Sequence, residues 1–184
     1  EYGGMGLDYT TFAMIFEELS KGFMSISGAI GTHHITTYML THYGTEDQKQ
    51  KFLPELSAGK KRGGLALTEP SVGSDVANLE LRADKDGEEY VLNGEKMWIT
   101  GAGHADFFFV LAKTDPEAGY RGMSGFIVES DREGLTLGKK ESNMGQRCSD
   151  TRSVIFDGVR IPSENLLGET ENYGWMNAMK AFDM

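Results

Sequence analysis

Gly64 to Gly103 reads GLALTEPSVGSDVANLELRADKDGEEYVLNGEKMWITGAG. Two short polar loops stand out in it, Thr68 to Asp75 (TEPSVGSD) and Trp98 to Gly101 (WITG), each at the end of an apolar run. Between and beyond them apolar residues recur with a period of two, the spacing of a strand with one buried face. The predicted strands are Gly63 to Thr68, Leu79 to Lys85, Glu89 to Leu92, Lys96 to Thr100, Phe107 to Thr114, Gly125 to Ser130, Leu135 to Lys139 and Arg152 to Phe156. Asp86-Gly87 and Asn93-Gly94 read as hairpin turns. Many short strands without intervening helices predict an antiparallel barrel or two packed sheets.

Outside this region the period changes to that of a helix. Asp8 or Thr10 caps a predicted helix carrying Phe12, Ile15, Phe16 and Leu19, which ends at Lys21 and Gly22. Phe23 to Tyr43 is apolar nearly all round and is expected to be sandwiched between other elements, with Gly44 closing it. Thr45-Glu46-Asp47-Gln48 is a capping box for a third helix, in which Pro54 predicts a kink or break. Val159 to Thr170 reads as irregular, and from Gly174 the residues Trp175, Met179 and Phe182 resume helical spacing. The fold class is therefore α+β: helices, a β-barrel or sandwich, and the start of another helix. The expected division is 1–60 for a helical part, 61–160 for the β domain and 161–184 for a linker and a helix that is unfinished.

Of the 184 residues 39% are hydrophobic and 25% charged, a globular composition. A net charge of -10, from 28 acidic and 18 basic residues, argues against a nucleic-acid groove. No apolar run approaches the roughly 20 residues that a membrane-spanning helix requires. Cys148 is the single cysteine; it excludes an intrachain disulfide, fits a reducing compartment and reads as a small half-buried residue. His33 and His34 are adjacent and face different sides of a helix, so they cannot share a metal. The chain starts at Glu1 without Met and stops within a helical pattern at Met184, and both ends are expected to be cut.

The two loops share a chemistry. Gly73 lets backbone approach a bulky planar or phosphate-bearing ligand, and Trp98 offers an indole beside the Thr100 hydroxyl. A flavin needs that combination, donors along its polar edge and an aromatic wall that limits water. Taken alone, each loop is weak evidence, because turns rich in serine and glycine are usually only turns.

Their order and wording say more. LTEPSVGSD, then NGEKMWIT, then MGQRCSDTR at Met144 to Arg152 together resemble the acyl-CoA dehydrogenase family, nearest its medium-chain-like branch, and the likeness runs from EYGGMGLD to NAMKAFDM. Ser71 and Val72 depart from the family's commoner choices at those two positions. The resemblance implies FAD as cofactor, with Leu65, Leu67, Thr68, Gly73, Ser74, Trp98, Ile99 and Thr100 around it. It implies that Ser74 and Asp183 contact the acyl-CoA substrate, and that Glu141 lies near the exposed flavin edge and the redox-partner surface. The implied reaction is oxidation of an acyl-CoA thioester to the trans-2-enoyl form: a carboxylate removes the α proton, the β hydrogen leaves to the flavin, and electrons pass to an electron transfer flavoprotein. The family's catalytic glutamate matches no residue here and is expected beyond Met184, so this stretch alone is expected to be inactive. A homotetramer in the mitochondrial matrix or the bacterial cytoplasm is implied in the same way. The competing readings are an acyl-CoA oxidase or related flavoprotein, and a non-catalytic β-barrel interaction module. For acyl chain length, Gly28, Gly31, Thr32 and Ile35 share one helix face, which either lines an acyl slot or only allows close helix packing.

Overall fold

The computed structural model describes residues 2–183; Glu1 and Met184, the two ends expected to be cut, lie outside the described residues. Helix α1, Tyr9–Tyr43, is two helices joined at Phe23, whose φ of -159° and ψ of 95° are extended. The break falls where Lys21 and Gly22 predict an end. Asp8 is the N-cap and accepts from Thr11 N, while the N–H of Gly44 closes the helix on the Leu40 carbonyl. The sandwich expected for the second half is incomplete: Phe23, Met24 and Ile26 are exposed, as are Ile15 and Leu19 in the first half, whereas Thr36, Met39 and Leu40 are buried.

Helix α2, Glu46–Ser57, opens on the predicted capping box, with Thr45 and Gln48 satisfying each other's backbone donors. It runs on through Pro54 instead of ending there. Phe52, Leu53 and Leu56 are buried on both sides of the proline, and that packing outweighs the one backbone hydrogen bond the ring removes. The buried Gln48 amide also donates to the Glu164 and Leu166 carbonyls at 2.7 Å each, tying α2 to the segment after the sheet.

The sheet has seven strands: β1 Gly63–Ala66, β2 Arg82–Asp86, β3 Glu89–Ile99, β4 Phe107–Lys113, β5 Met123–Glu129, β6 Leu135–Leu137 and β7 Arg152–Pro162. Their order is β1-β4-β2-β3-β7-β6, with β5 on the other edge of β4. The α+β class holds, and the ladders β2·β3, β3·β7, β4·β5 and β6·β7 are antiparallel as expected; β4 also runs parallel to both β1 and β2. That parallel pairing is possible because the long excursion from β1 through the first loop lets β4 return beside it.

Asp86-Gly87 makes the predicted hairpin, with Gly87 at a φ of 64°. Asn93-Gly94 does not. It lies inside β3, where the Asn93 side chain accepts from Gly158 N at 2.9 Å at a bulge in β7. Gly94 takes a φ of 142°, and a Cβ there would lie 3.0 Å from Leu81 Cγ, so the turn-like pair answers a close strand approach and not a chain reversal. Val159 to Pro162, expected to be irregular, continues β7, and two short 3-10 turns, Ser163–Asn165 and Leu167–Glu169, follow.

Strand β4 is buried on both faces. Phe108, Val110 and Ala112 join a cluster inside the sheet with Leu81, Tyr90, Leu92, Phe126 and Val154. Phe107, Phe109 and Leu111 meet the helices through Met39, Leu40, Phe52, Leu53 and Leu56. Helix α3, Gly174–Phe182, docks on that second cluster through Ala178 and Ala181. A Cβ on Gly174 would lie 2.5 Å from the Ser124 carbonyl carbon, so glycine is what allows the start of α3 to rest on β5.

Candidate functional site

The first loop leaves β1 at its C-terminal end and is folded back on itself. Glu69 and Val72 exchange backbone hydrogen bonds of 2.9 and 3.1 Å around Pro70 and Ser71. Gly73, Ser74 and Asp75 beyond them are exposed, and a Cβ on Gly73 would meet no atom within 4 Å.

The second loop owes its shape to a bulge. Along β3 the inward positions are Tyr90, Leu92 and Lys96, and strict alternation would next turn Trp98 inward and Ile99 outward. Between Lys96 and Ile99 β3 advances three residues while β7 advances two, from Val154 to Arg152. The extra residue reverses the two side chains. Ile99 enters the inner core, and Trp98 is turned out with 58% of its surface exposed, at a φ of 56°. A left-handed conformation is rare for so large a side chain and costs of order 1–3 kcal/mol. More than half of the indole surface is left uncovered by this chain, and it offers a ready wall for a planar ligand.

The two loops are bonded to each other. Met97 N donates to the Thr68 carbonyl at 2.8 Å. Beneath that bond lies an ion pair that the motifs do not announce: Lys96 Nζ meets Glu69 Oε1 at 2.8 Å, with the side chains 0% and 4% exposed. Lys96 also donates to the Leu67 carbonyl at 3.0 Å, and the Glu69 carboxylate accepts Glu80 N at 2.6 Å and Leu81 N at 3.0 Å. Burial pushes the Lys96 ammonium down to about 8, and the Glu69 carboxylate opposes that shift only in part. The signal for Lys96 was its place in the inward phase after Tyr90 and Leu92.

The third motif is tied to the second loop. Asp150 is buried and accepts from Arg152 Nε at 2.8 Å, and a Cβ on Gly103 would lie 1.8 Å from Asp150 Oδ2. Glu141 is half-buried and its N–H donates to the Thr151 carbonyl at 2.8 Å. Gln146, at a φ of 50°, reaches α1: a Cβ on Gly28 would lie 2.9 Å from its Oε1.

The Thr68–Met97 bond sets Thr68 against the end of the strand that leads into Trp98 and Thr100, and Gly73 and Ser74 are exposed further along the first loop. Thr68 and Thr100 are half-buried, and Leu65 is half-buried against the helical cluster. The Leu67 and Ile99 side chains are buried in the two cores, so these residues have only backbone to offer a ligand. Asp183 is exposed and is the C-cap of α3. Cys148, expected to be half-buried, is exposed in the loop facing Phe23 and Ser25. Burial holds His33 and His34 below the usual imidazole range; His33 Nδ1 accepts from Gly63 N at 3.4 Å, and His34 stacks on Phe12. No helix among the described residues is long and apolar enough to cross a membrane.

The model of the acyl-CoA dehydrogenase middle domain matches residues 64–159, and that of the acyl-CoA dehydrogenase N-terminal domain matches residues 1–60. A Caenorhabditis briggsae protein named as a probable medium-chain specific acyl-CoA dehydrogenase 2, mitochondrial, is 44% identical over 100% of this chain and 46% of its own length. A chain in a structure described as the electron transferring flavoprotein of Acidaminococcus fermentans superposes with a TM-score of 0.95 at 39% identity, covering 99% of this chain and 48% of that one. A glutaryl-CoA dehydrogenase from Mycobacterium smegmatis, solved in complex with FADH2, superposes with a TM-score of 0.91 at 32% identity over 100% of this chain and 46% of its own. The chain spans about half the length of the relatives it matches. With its middle-domain match lying on the two bonded loops and the strands that carry them, the chain belongs to the acyl-CoA dehydrogenase family.

Proposed function

We propose that the protein containing this chain is an FAD-dependent acyl-CoA dehydrogenase, which oxidises an acyl-CoA thioester to its trans-2-enoyl form and passes electrons to an electron transfer flavoprotein. The observation that carries this reading is Trp98, turned outward by a strained bulge and bonded through its neighbour Met97 to the hydroxyl-bearing loop. A bound FAD would supply the acceptor for two electrons and the substrate's β hydrogen. The chain's own residues bind and orient it. Thr68 and Thr100 donate along its polar edge, Trp98 keeps water from one side, and Gly73 and Ser74 leave room for the pyrophosphate. Leu65 contributes apolar wall, and Leu67 and Ile99 contribute backbone. Ser74 and Asp183 are the proposed contacts to the CoA portion, and a homotetramer in the mitochondrial matrix or bacterial cytoplasm fits the same reading.

None of the loop acids is proposed as the base. The Glu69 carboxylate is buried and already accepts from one ammonium and two backbone donors, which hold it inside the fold and away from a substrate. The base is proposed to lie elsewhere in the whole protein. Its kinetics decide between the competing readings: the full-length protein should show flavin absorbance bleached by an acyl-CoA and turn over with electron transfer flavoprotein. Turnover with oxygen in its place would favour an oxidase, and absence of flavin would overturn the reading.

Two substitutions test individual residues. Thr100→Val should weaken FAD binding by about 1–3 kcal/mol, the worth of one hydrogen bond to a group that gains charge, as read by titration of the deflavinated protein. Gly31 concerns chain length: a Cβ there would lie 3.8 Å from Phe16 Cε1, in ordinary contact with the first half of α1. If its face lines the acyl slot, Gly31→Leu should shift kcat/KM toward shorter acyl-CoAs, by about 0.8 kcal/mol per methylene excluded, with flavin content unchanged. A flat chain-length profile would leave packing as the only role of that glycine.

A further inference from the structure

The buried pair Glu69–Lys96 lies under both loops, yet neither side chain reaches the exposed surface where a ligand would rest. Between them the two side chains hold three backbone groups in different segments: the Leu67 carbonyl just before the first loop, and the Glu80 and Leu81 N–H groups after it. Lys96 is also the residue from which the β3 bulge departs, and Thr68 and Met97, the direct neighbours of the pair in sequence, are bonded to each other.

A buried ion pair contributes little net stability, and apolar side chains of the same volume could fill the site without loss. They could not make directional bonds to three separated backbone groups. That directionality fixes where Thr68 stands and where the chain must bulge to place Trp98. The cost of ordering both loops is then met when the protein folds and not when a ligand arrives.

We propose that Glu69 and Lys96 are positioning residues that lock the Thr68 to Asp75 loop and the Trp98 bulge into one preorganised cofactor cradle. This rests on the FAD reading above. The pair sets cofactor affinity through loop geometry without touching the cofactor.

The test uses the full-length protein, deflavinated and titrated with FAD, in four forms: wild type, Lys96→Met, Glu69→Gln, and Ile161→Ala. Ile161 is fully buried in the inner cluster and belongs to neither loop, so its variant controls for loss of stability alone. Lys96→Met should raise the FAD Kd about tenfold or more, equivalent to about 1.4 kcal/mol. Glu69→Gln, which keeps the side-chain shape, should raise it by a smaller factor. Amide hydrogen exchange should quicken selectively in 68–75 and 97–101 in both, while Ile161→Ala leaves the Kd close to wild type. If Lys96→Met fails to fold, Glu69→Gln carries the same comparison. An FAD Kd unchanged in the folded pair variants, or an equal rise in Ile161→Ala, would overturn the proposal while leaving the FAD reading intact. Failure of the wild type to bind FAD would overturn both.

Discussion

Glu69→Ala is expected to lower the stability of the full-length protein by about 3–5 kcal/mol at pH 7, the cost of leaving a buried charge without its partner. The Lys96 ammonium would keep only the Leu67 carbonyl, and the Glu80 and Leu81 N–H groups would lose their acceptor. The deficit should depend on pH in a definite direction. Burial already pushes Lys96 down to about 8, whereas an unfolded lysine titrates near 10.4. Below about pH 8 both states hold the proton, and the penalty for burying the charge is present in full. Between about 8 and 10.4 the unfolded chain binds more protons than the folded one, so this group's contribution to stability rises with pH. Without the carboxylate the folded value falls further and the window opens at lower pH. Urea unfolding at pH 6, 7 and 9 should therefore find the deficit of Glu69→Ala shrinking as pH rises; a deficit that grows toward pH 9 would contradict the assignment of a charged, desolvated Lys96.

Phe108→Ala should be comparably severe, about 3–5 kcal/mol, with less pH dependence. Phe108 is fully buried near the start of β4, opposite Val128 of β5, and Gly64 of β1 lies against its ring so closely that a Cβ there would be 2.8 Å from Cδ1. Removing the ring opens a cavity beneath the strand that delivers Thr68. Loss of stability together with weaker FAD binding is the expected result in denaturant unfolding and FAD titration. A variant as stable as the wild type would mean that β1 and β4 are held by something other than this contact.

The sequence carried the strands well where each residue answers to one local rule. Phe107 to Thr114 reads as a strand because its apolar run is continuous, and it is one because both faces are covered. The capping box at Thr45 and the turn at Asp86-Gly87 are equally local. Asn93-Gly94 misleads because the same pair satisfies a tight turn and a close strand approach, and only the distant residues Leu81 and Gly158 decide between them. Pro54 misleads for the same reason, since the burial of its flanking residues is a tertiary fact. In the site, Thr68, Trp98 and Thr100 are visible as chemistry-bearing residues, but their juxtaposition depends on a one-residue bulge that period-two patterning cannot express. Glu69 and Lys96 escape notice because charged residues in a polar loop and a strand are ordinarily solvated. Lys96 stood in the inward phase all along.

The measurement that bears most directly on the cofactor cradle is tryptophan emission during FAD binding. The chain has two tryptophans, Trp98 on the bulge and Trp175 on α3 beside Tyr120. In a Trp175→Phe background, provided the rest of the full-length protein adds no tryptophan or has had it replaced, the remaining emission belongs to Trp98. Titration of the deflavinated protein with FAD should quench that emission in step with flavin binding, saturating at one FAD per chain. Saturable FAD binding with Trp98 emission unchanged would place the cofactor away from the two loops and contradict the cradle.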